Sequence, residues 1–248
     1  RGYKAGGYQF DRSGLVVPNP DGSQLEFDPE TADAFEIGLK MSAMHGAVRA
    51  NIAAFDTRFN DYQFNYLLTA GTGETQRVVI NLPELRTRGV ELETFFAPTE
   101  GLHLTFAATY QDVKFGDSGF PTSLAYLEGQ QGINAPEWVV SGSVNYETFV
   151  GDNLKAFFYV DTRYQSETAV SYSAGISDAY RQDGYALVNA RIGIGADDNA
   201  WRLELWSRNL FDQAAWASIG SGVFQSGTTQ GYAIEPRTFG ATLRFNIQ

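Results

Sequence analysis

Residues 236–248 read PRTFGATLRFNIQ, and the alternation in this stretch decides the fold. Phe239, Ala241, Leu243, Phe245 and Ile247 fall on one face of an extended chain. Thr238, Gly240, Thr242, Arg244, Asn246 and Gln248 fall on the other. Successive side chains of a β-strand point to opposite faces, so this is a strand with one apolar and one polar side. A helix would need apolar residues three and four apart, and the stretch does not supply them.

The same period recurs upstream. Trp138, Val140, Gly142, Val144 and Tyr146 alternate with Val139, Ser141, Ser143, Asn145 and Glu147. Leu102, Leu104, Phe106, Ala108 and Tyr110 alternate with His103, Thr105, Ala107, Thr109 and Gln111. Val188 to Ile194 and Phe35 to Met41 behave likewise. From Val48 to Tyr62 the alternation is less clean, which allows a bulge there. Tight turns are expected at His45-Gly46, Thr99-Glu100-Gly101, Gly151-Asp152-Asn153 and Ala196-Asp197-Asp198-Asn199. Long polar or glycine-rich connections are expected around 11–31, 67–76, 116–134, 171–183 and 221–231. Short and long connections alternate strictly, giving about ten antiparallel strands in an up-and-down meander. A soluble sandwich has no reason to collect its short turns at one end. An outer-membrane barrel does, with periplasmic turns below and extracellular loops above.

Composition sets limits on function. The chain has 248 residues, no cysteine, two histidines and a formal net charge of -11. It therefore has no disulfide scaffold and no thiolate metal site. It lacks the basic footprint of a nucleic-acid binder. No run approaches the roughly 18 apolar residues of a membrane helix, and no signal peptide follows Arg1. A membrane barrel escapes such tests because its strands are only half apolar.

Two environments produce a two-faced sheet. In a soluble sandwich the apolar face is the core; in a membrane barrel it meets lipid and the polar face lines the lumen. Aromatic residues towards strand ends favour the barrel, namely Phe96, Tyr110, Trp138, Tyr146, Phe149 and Trp201. The polar face is assigned Glu36, Lys40, Arg88, Glu91, Glu93, Asp161, Arg163, Arg191, Arg202, Glu204, Arg208 and Arg244, expected to pair across neighbouring strands.

Six stretches carry a family resemblance. They are RGYKAGGYQF (1–10), FDPETADAFEIGLK (27–40), AAFDTRFNDYQ (53–63), RTRGVELE (86–93), NLFDQ (209–213) and PRTFGATLRF (236–245). In this order they resemble the barrel of TonB-dependent outer-membrane receptors. The family's closing aromatic is displaced here, since Phe245 is followed by Asn246, Ile247 and Gln248. The resemblance implies a plug domain and a barrel of about 22 strands. Residues 1–248 are accordingly expected to be the C-terminal portion of such a barrel, with the plug domain absent. A self-contained small barrel, acting as a passive pore, adhesin or hydrolase, stays open as the alternative.

No catalytic constellation stands out: no Gly-x-x-x-x-Gly-Lys loop and no Gly-x-Ser-x-Gly elbow is present. The chain is expected to make or break no bond and to hold no cofactor or metal of its own. His103 reads as a structural histidine, and Glu91 and Glu93 as partners of Arg86 or Arg88. The acidic turn at Asp197-Asp198 reads as solvated. Candidate ligand contacts are the loop aromatics Phe115, Phe120, Tyr172, Tyr180 and Phe224, which suit a partly apolar ligand such as a metal chelate. Packing of the loops on themselves explains them equally well. The resemblance implies energised uptake of a scarce solute across the bacterial outer membrane, ferric siderophores leading. Its partners would be membrane lipid and, through the missing N-terminal part, the TonB energy-transducing complex.

Overall fold

The computed structural model describes residues 1–9, 26–69, 75–172, 180–221 and 228–246. In chain order the first strands are β1 (Gly2–Lys4), β2 (Gly7–Tyr8), β3 (Glu26–Phe27), β4 (Glu30–Ala43), β5 (Val48–Thr69), β6 (Thr75–Thr99) and β7 (Leu102–Phe115). The remainder are β8 (Trp138–Phe149), β9 (Leu154–Gln165), β10 (Thr168–Ala169), β11 (Arg181–Gln182), β12 (Tyr185–Ala196), β13 (Trp201–Arg208), β14 (Trp216–Ser221), β15 (Thr229–Ala233) and β16 (Thr238–Phe245). Ten of them form one antiparallel sheet in the order β1-β4-β5-β6-β7-β8-β9-β12-β13-β16. The other six form three two-stranded ribbons, β2-β3, β10-β11 and β14-β15. The main sheet is open, with β1 at one end and β16 at the other.

Both expected classes of connection are present. The four short turns join β4 to β5, β6 to β7, β8 to β9 and β12 to β13, all at one end of the sheet. Gly101 shows what such a turn demands. Its φ is +76°, and a Cβ there would collide with the Glu147 carbonyl oxygen. At the opposite end, the connection expected at 67–76 is shorter than the alternation suggested. β5 and β6 pair as far as Thr69 and Thr75.

The apolar face carries two levels of aromatic rings. Tyr110 pairs with Trp138 at one level, their rings 5.0 Å apart. Tyr146 and Phe96 stand near the other end on the same face. Trp138 and Tyr146 are roughly 27 Å apart along β8, and a strand tilt of about 40° brings this to roughly 20 Å, close to the apolar band of an outer-membrane barrel. Along the rest of this face stand Ile37, Leu39, Ile52, Val90, Phe106, Phe158, Ile192, Leu205 and Leu243, all exposed. Exposed apolar area this large and continuous belongs against lipid.

β5 and β6, 22 and 25 residues long, greatly exceed the roughly 9–11 residues that cross a bilayer. Their upper halves obey a different pattern. No bulge interrupts the register, which runs from Val48↔Phe96 to Thr69↔Thr75. The disturbance is instead at Asp61, which has φ +53° and lies between the pairs Asn60↔Glu84 and Tyr62↔Leu82, facing Pro83. Proline has no N–H for the ladder, so the bond it would donate is missing here. Asn81 secures the irregularity by donating from Nδ2 to the Asp61 carbonyl at 2.7 Å. Side chains exchange faces at this point. Phe59 and Tyr62, three residues apart, bring their rings within 6.3 Å, and Leu82 and Leu85 reach the same cluster. A regular strand would hold each pair on opposite faces.

The principal core therefore sits above the sheet. Leu82, Leu124 and Leu127 are fully buried, with Phe115 and Phe120 beside them. The connection between β7 and β8, with a short 3-10 helix at Thr122–Leu127, supplies most of this cluster. Tyr62, Phe64 and Ile80 from the protruding strands close it.

Candidate functional site

The polar face of the sheet is built from glycines, rings and guanidinium groups. Gly193 pairs with Phe157, Gly240 with Trp206 and Gly89 with Phe55. In each pair the aromatic ring lies over the glycine. A Cβ on Gly240 would stand 2.6 Å from the Trp206 ring and one on Gly89 2.8 Å from that of Phe55. On Gly193 it would overlap the Phe157 ring. Arginines form a further tier. The Arg202 guanidinium carbon is 3.4 Å from the Phe157 ring centre, and Arg191 is 4.3 Å from that of Tyr159. Arg49 lies 4.4 Å over Phe95, whose ring also stacks with His103. A cation over a ring face is attracted by the ring quadrupole. His103, read as structural from the sequence, thus belongs to a stacked group near the short-turn end.

The expected cross-strand ion pairs of this face are mostly replaced by other contacts. Among the described residues its one salt bridge is Lys155–Glu147 at 3.9 Å. Asp161 instead accepts from Asn189 Nδ2 at 2.8 Å. Thr105 and Ser143 share a 2.7 Å hydrogen bond, and Trp206 Nε1 donates to Thr242 at 3.1 Å. Glu204 is buried, and Arg202 Nε is a buried donor without a partner among the described residues.

Two assignments need correction. Arg88 stands on the apolar face, in line with Val90 and Leu92, and bonds Asp112 at 2.9 Å. Arg86 is on that face too and pairs with Asp56. Neither reaches Glu91 or Glu93, which project from the opposite side of β6. An odd residue interval on a strand changes face, and the attraction of opposite charges cannot undo it.

The loop aromatics fall into two clusters. Phe115 and Phe120 meet edge to face at 6.3 Å inside the loop core. Tyr172 packs against that core, and its hydroxyl donates to the Gln131 carbonyl at 2.8 Å. Burial pushes the Tyr172 phenol above its ordinary range, only partly offset by the charge of Arg181. Tyr180 is buried with Val170 and Ile219 in a second, smaller cluster. Phe224 lies outside the described residues. The structure thus brings three of the candidates together and puts Tyr180 in a neighbouring cluster.

Side-chain amides, which sequence reasoning passed over, hold these connections together. Gln182 is buried and accepts from the Trp216 N–H at 2.7 Å, joining the β10-β11 ribbon to β14. Gln131 receives Tyr172 and donates to the Ala135 carbonyl at 2.8 Å. Asn209, with φ +47°, accepts from the Gln213 N–H and donates to the Gln213 and Glu235 carbonyls. Asp212 caps the Arg237 N–H at 2.9 Å. The Asn-Leu-Phe-Asp sequence is therefore the fastening of the last long connection. Asparagine tolerates positive φ and can serve several backbone groups at once.

A two-faced open sheet with short turns at one end and packed loops at the other narrows the family choice to outer-membrane barrels. The sequence matches the family described as TonB dependent receptor-like, beta-barrel, over residues 1–210. The chain belongs to this family. Its polar face is then the lumen wall, and its apolar face meets the outer membrane. Solved structures of receptors share the fold. The ferric yersiniabactin uptake receptor of Yersinia pestis superposes with a TM-score of 0.79 at 17% identity, over 100% of this chain and 34% of that one. The ferric preacinetobactin receptor of Acinetobacter baumannii gives 0.65 at 17%, over 97% and 32%. A copper transporter gives 0.67 at 14%, over 97% and 37%. The chain spans about a third of the length of each of these receptors.

Proposed function

We propose that this chain is the C-terminal portion of the barrel of a receptor that takes a scarce solute across the outer membrane by energised uptake. The membership of residues 1–210 in the receptor family carries this reading. A plug domain and an inner-membrane TonB complex would supply gating and energy, and no bond would be made or broken. A ferric siderophore is the leading cargo. What supports it is that two of the similar structures are named as receptors for ferric yersiniabactin and ferric preacinetobactin. The lumen wall also fits a polar or anionic chelate, because Arg191 and Arg202 rest on rings instead of carboxylates.

For the loops, we propose that Phe115, Phe120, Tyr172 and Tyr180 act mainly by shaping the extracellular mouth, and that contact with cargo follows only when their clusters open. The test is growth of a strain deleted for the full-length gene on defined iron sources. Loss of growth on one ferric chelate, restored by the gene, is the expected result. Unimpaired growth on every ferric chelate, with a defect on another nutrient, would replace the cargo while leaving the receptor reading in place.

A further inference from the structure

The apolar face ends, at its loop side, in two rows of charge. In the upper row Asp33 pairs with Arg58, Arg58 with Arg86, and Arg86 with Lys114. In the row below, Phe35 stands opposite Asp56, Asp56 opposite Arg88, and Arg88 opposite Asp112. The next row down is apolar, running Ile37, Ala54, Val90, Tyr110 and Trp138. Neighbouring strands are about 4.8 Å apart and successive rows about 7 Å. Three cations therefore stand side by side within about 10 Å, two rows above the aromatic level that marks the lipid boundary.

Like charges directly opposed across strands destabilise a sheet. Asp33, the row's own carboxylate, is bonded by Arg1 at 3.3 Å, and each of the three cations reaches off the row for a counter-ion. Arg58 bonds Glu84 at 3.2 Å, Arg86 bonds Asp56, and Lys114 bonds Asp112 at 3.0 Å. Asp112 is shared with Arg88. The Arg58 and Lys114 side chains keep about half their surface exposed, and that of Arg86 about a third. With Arg1 counted, the site carries five cations (Arg1, Arg58, Arg86, Arg88 and Lys114) against four carboxylates (Asp33, Asp56, Glu84 and Asp112), in a chain whose net charge is -11. On β8, β9, β12, β13 and β16 the same face presents no charged residue among the pairs in register.

We propose that the Arg58–Arg86–Lys114 row docks a phosphorylated headgroup of a lipid in the extracellular leaflet. A phosphate placed between the three cations relieves their mutual repulsion. Guanidinium groups bind its oxygens through paired, charge-assisted hydrogen bonds. The lipid's acyl chains would lie against the apolar rows that begin below Asp56, Arg88 and Asp112, and this fit of charge above apolar surface selects a lipid over a free anion.

The full-length receptor in detergent is incubated with bis-phosphorylated lipid A, or with the same lipid after phosphatase treatment, and bound lipid is counted by native mass spectrometry. The expected result is a preference of roughly tenfold or more for the phosphorylated form, lost in the R58Q/R86Q/K114Q variant. R237Q, beyond the far side of the sheet, should keep the preference. Heat-modifiable migration on a gel checks that each variant folds. If the triple variant does not fold, R58Q and K114Q tested singly should each lower the preference. An unchanged preference in folded variants, equal retention of both lipids or an equal loss in R237Q overturns the proposal. Displacement of the lipid by millimolar inorganic phosphate also overturns it, by making the row a site for free anions. No cargo is present in the assay, so its failure leaves the uptake reading untouched.

Discussion

Leu243 and Thr242 are neighbours in sequence and meet different surroundings. Leu243 is exposed on the face that meets lipid, while the Thr242 hydroxyl accepts from Trp206 Nε1 on the lumen side. Leu243→Arg should cost roughly 2–4 kcal/mol in urea unfolding from lipid vesicles if it lies near the bilayer midplane. Thr242→Ala should cost only about 0.5–1.5 kcal/mol, the worth of one hydrogen bond. Equal costs would reverse the assignment of the faces. A second residue-scale prediction concerns Gly193. Alanine there must displace the Phe157 ring and with it the Arg202 guanidinium, at a cost of about 1–3 kcal/mol in the same measurement. Alternation of single residues was legible in the membrane strands, because lipid on one side and lumen on the other impose a period of two. The position of Arg88 was legible too, since it is three residues from Glu91, but its charge drew it to the wrong face. The glycine-ring pairs were not legible. Gly193 and Phe157 are joined by register between strands, and no local spacing encodes that.

Elements differ in what holds them. The membrane strands are fixed by backbone ladders and by the medium, whereas the long connections are fixed by their own apolar cores and by buried amides. Such a core is expected to open as a unit separate from the barrel. Leu124→Ala, in a fully buried position, should cost the loop core about 2–5 kcal/mol. The predicted readout is faster proteolysis between β7 and β8 with unchanged heat-modifiable migration. Burial gives Tyr172 a pH dependence of known sign. Its phenol ionises at a higher pH in the folded loop than in the unfolded chain, where the value is about 10. Its contribution is therefore complete below about pH 10 and is lost as pH rises through the folded value. Protection of the loops from protease should fall across that range, and Tyr172→Phe should weaken the dependence. The turn positions could be read from glycine, asparagine and aspartate, whereas the connection at 67–76 is shorter than its sequence suggested. The packing of Phe115 against Phe64 and Leu82 could not be read, because it depends on the face exchange at Asp61. That exchange depends in turn on one proline 22 residues away.

At the scale of the whole molecule, an open ten-stranded sheet with a lipid-facing side and two edges is not a water-soluble object. The 248-residue chain alone should need detergent or lipid to stay dispersed. A folded monomer in plain buffer, seen by analytical ultracentrifugation, would contradict the membrane orientation. Ordered motifs from residue 1 to residue 245 made the family legible, since each marks a strand or fastening in a fixed sequence. The cargo was not legible, because lumen arginines and packed loop aromatics suit many polar solutes. Finally, the inversion at Asp61 and Pro83 divides the molecule along a line suited to engineering. Below it the strands are written for lipid, and above it for a loop core. A cap taken from another receptor and joined at that line would inherit the correct phase. Joined one residue lower on both strands, the same cap would arrive inside out.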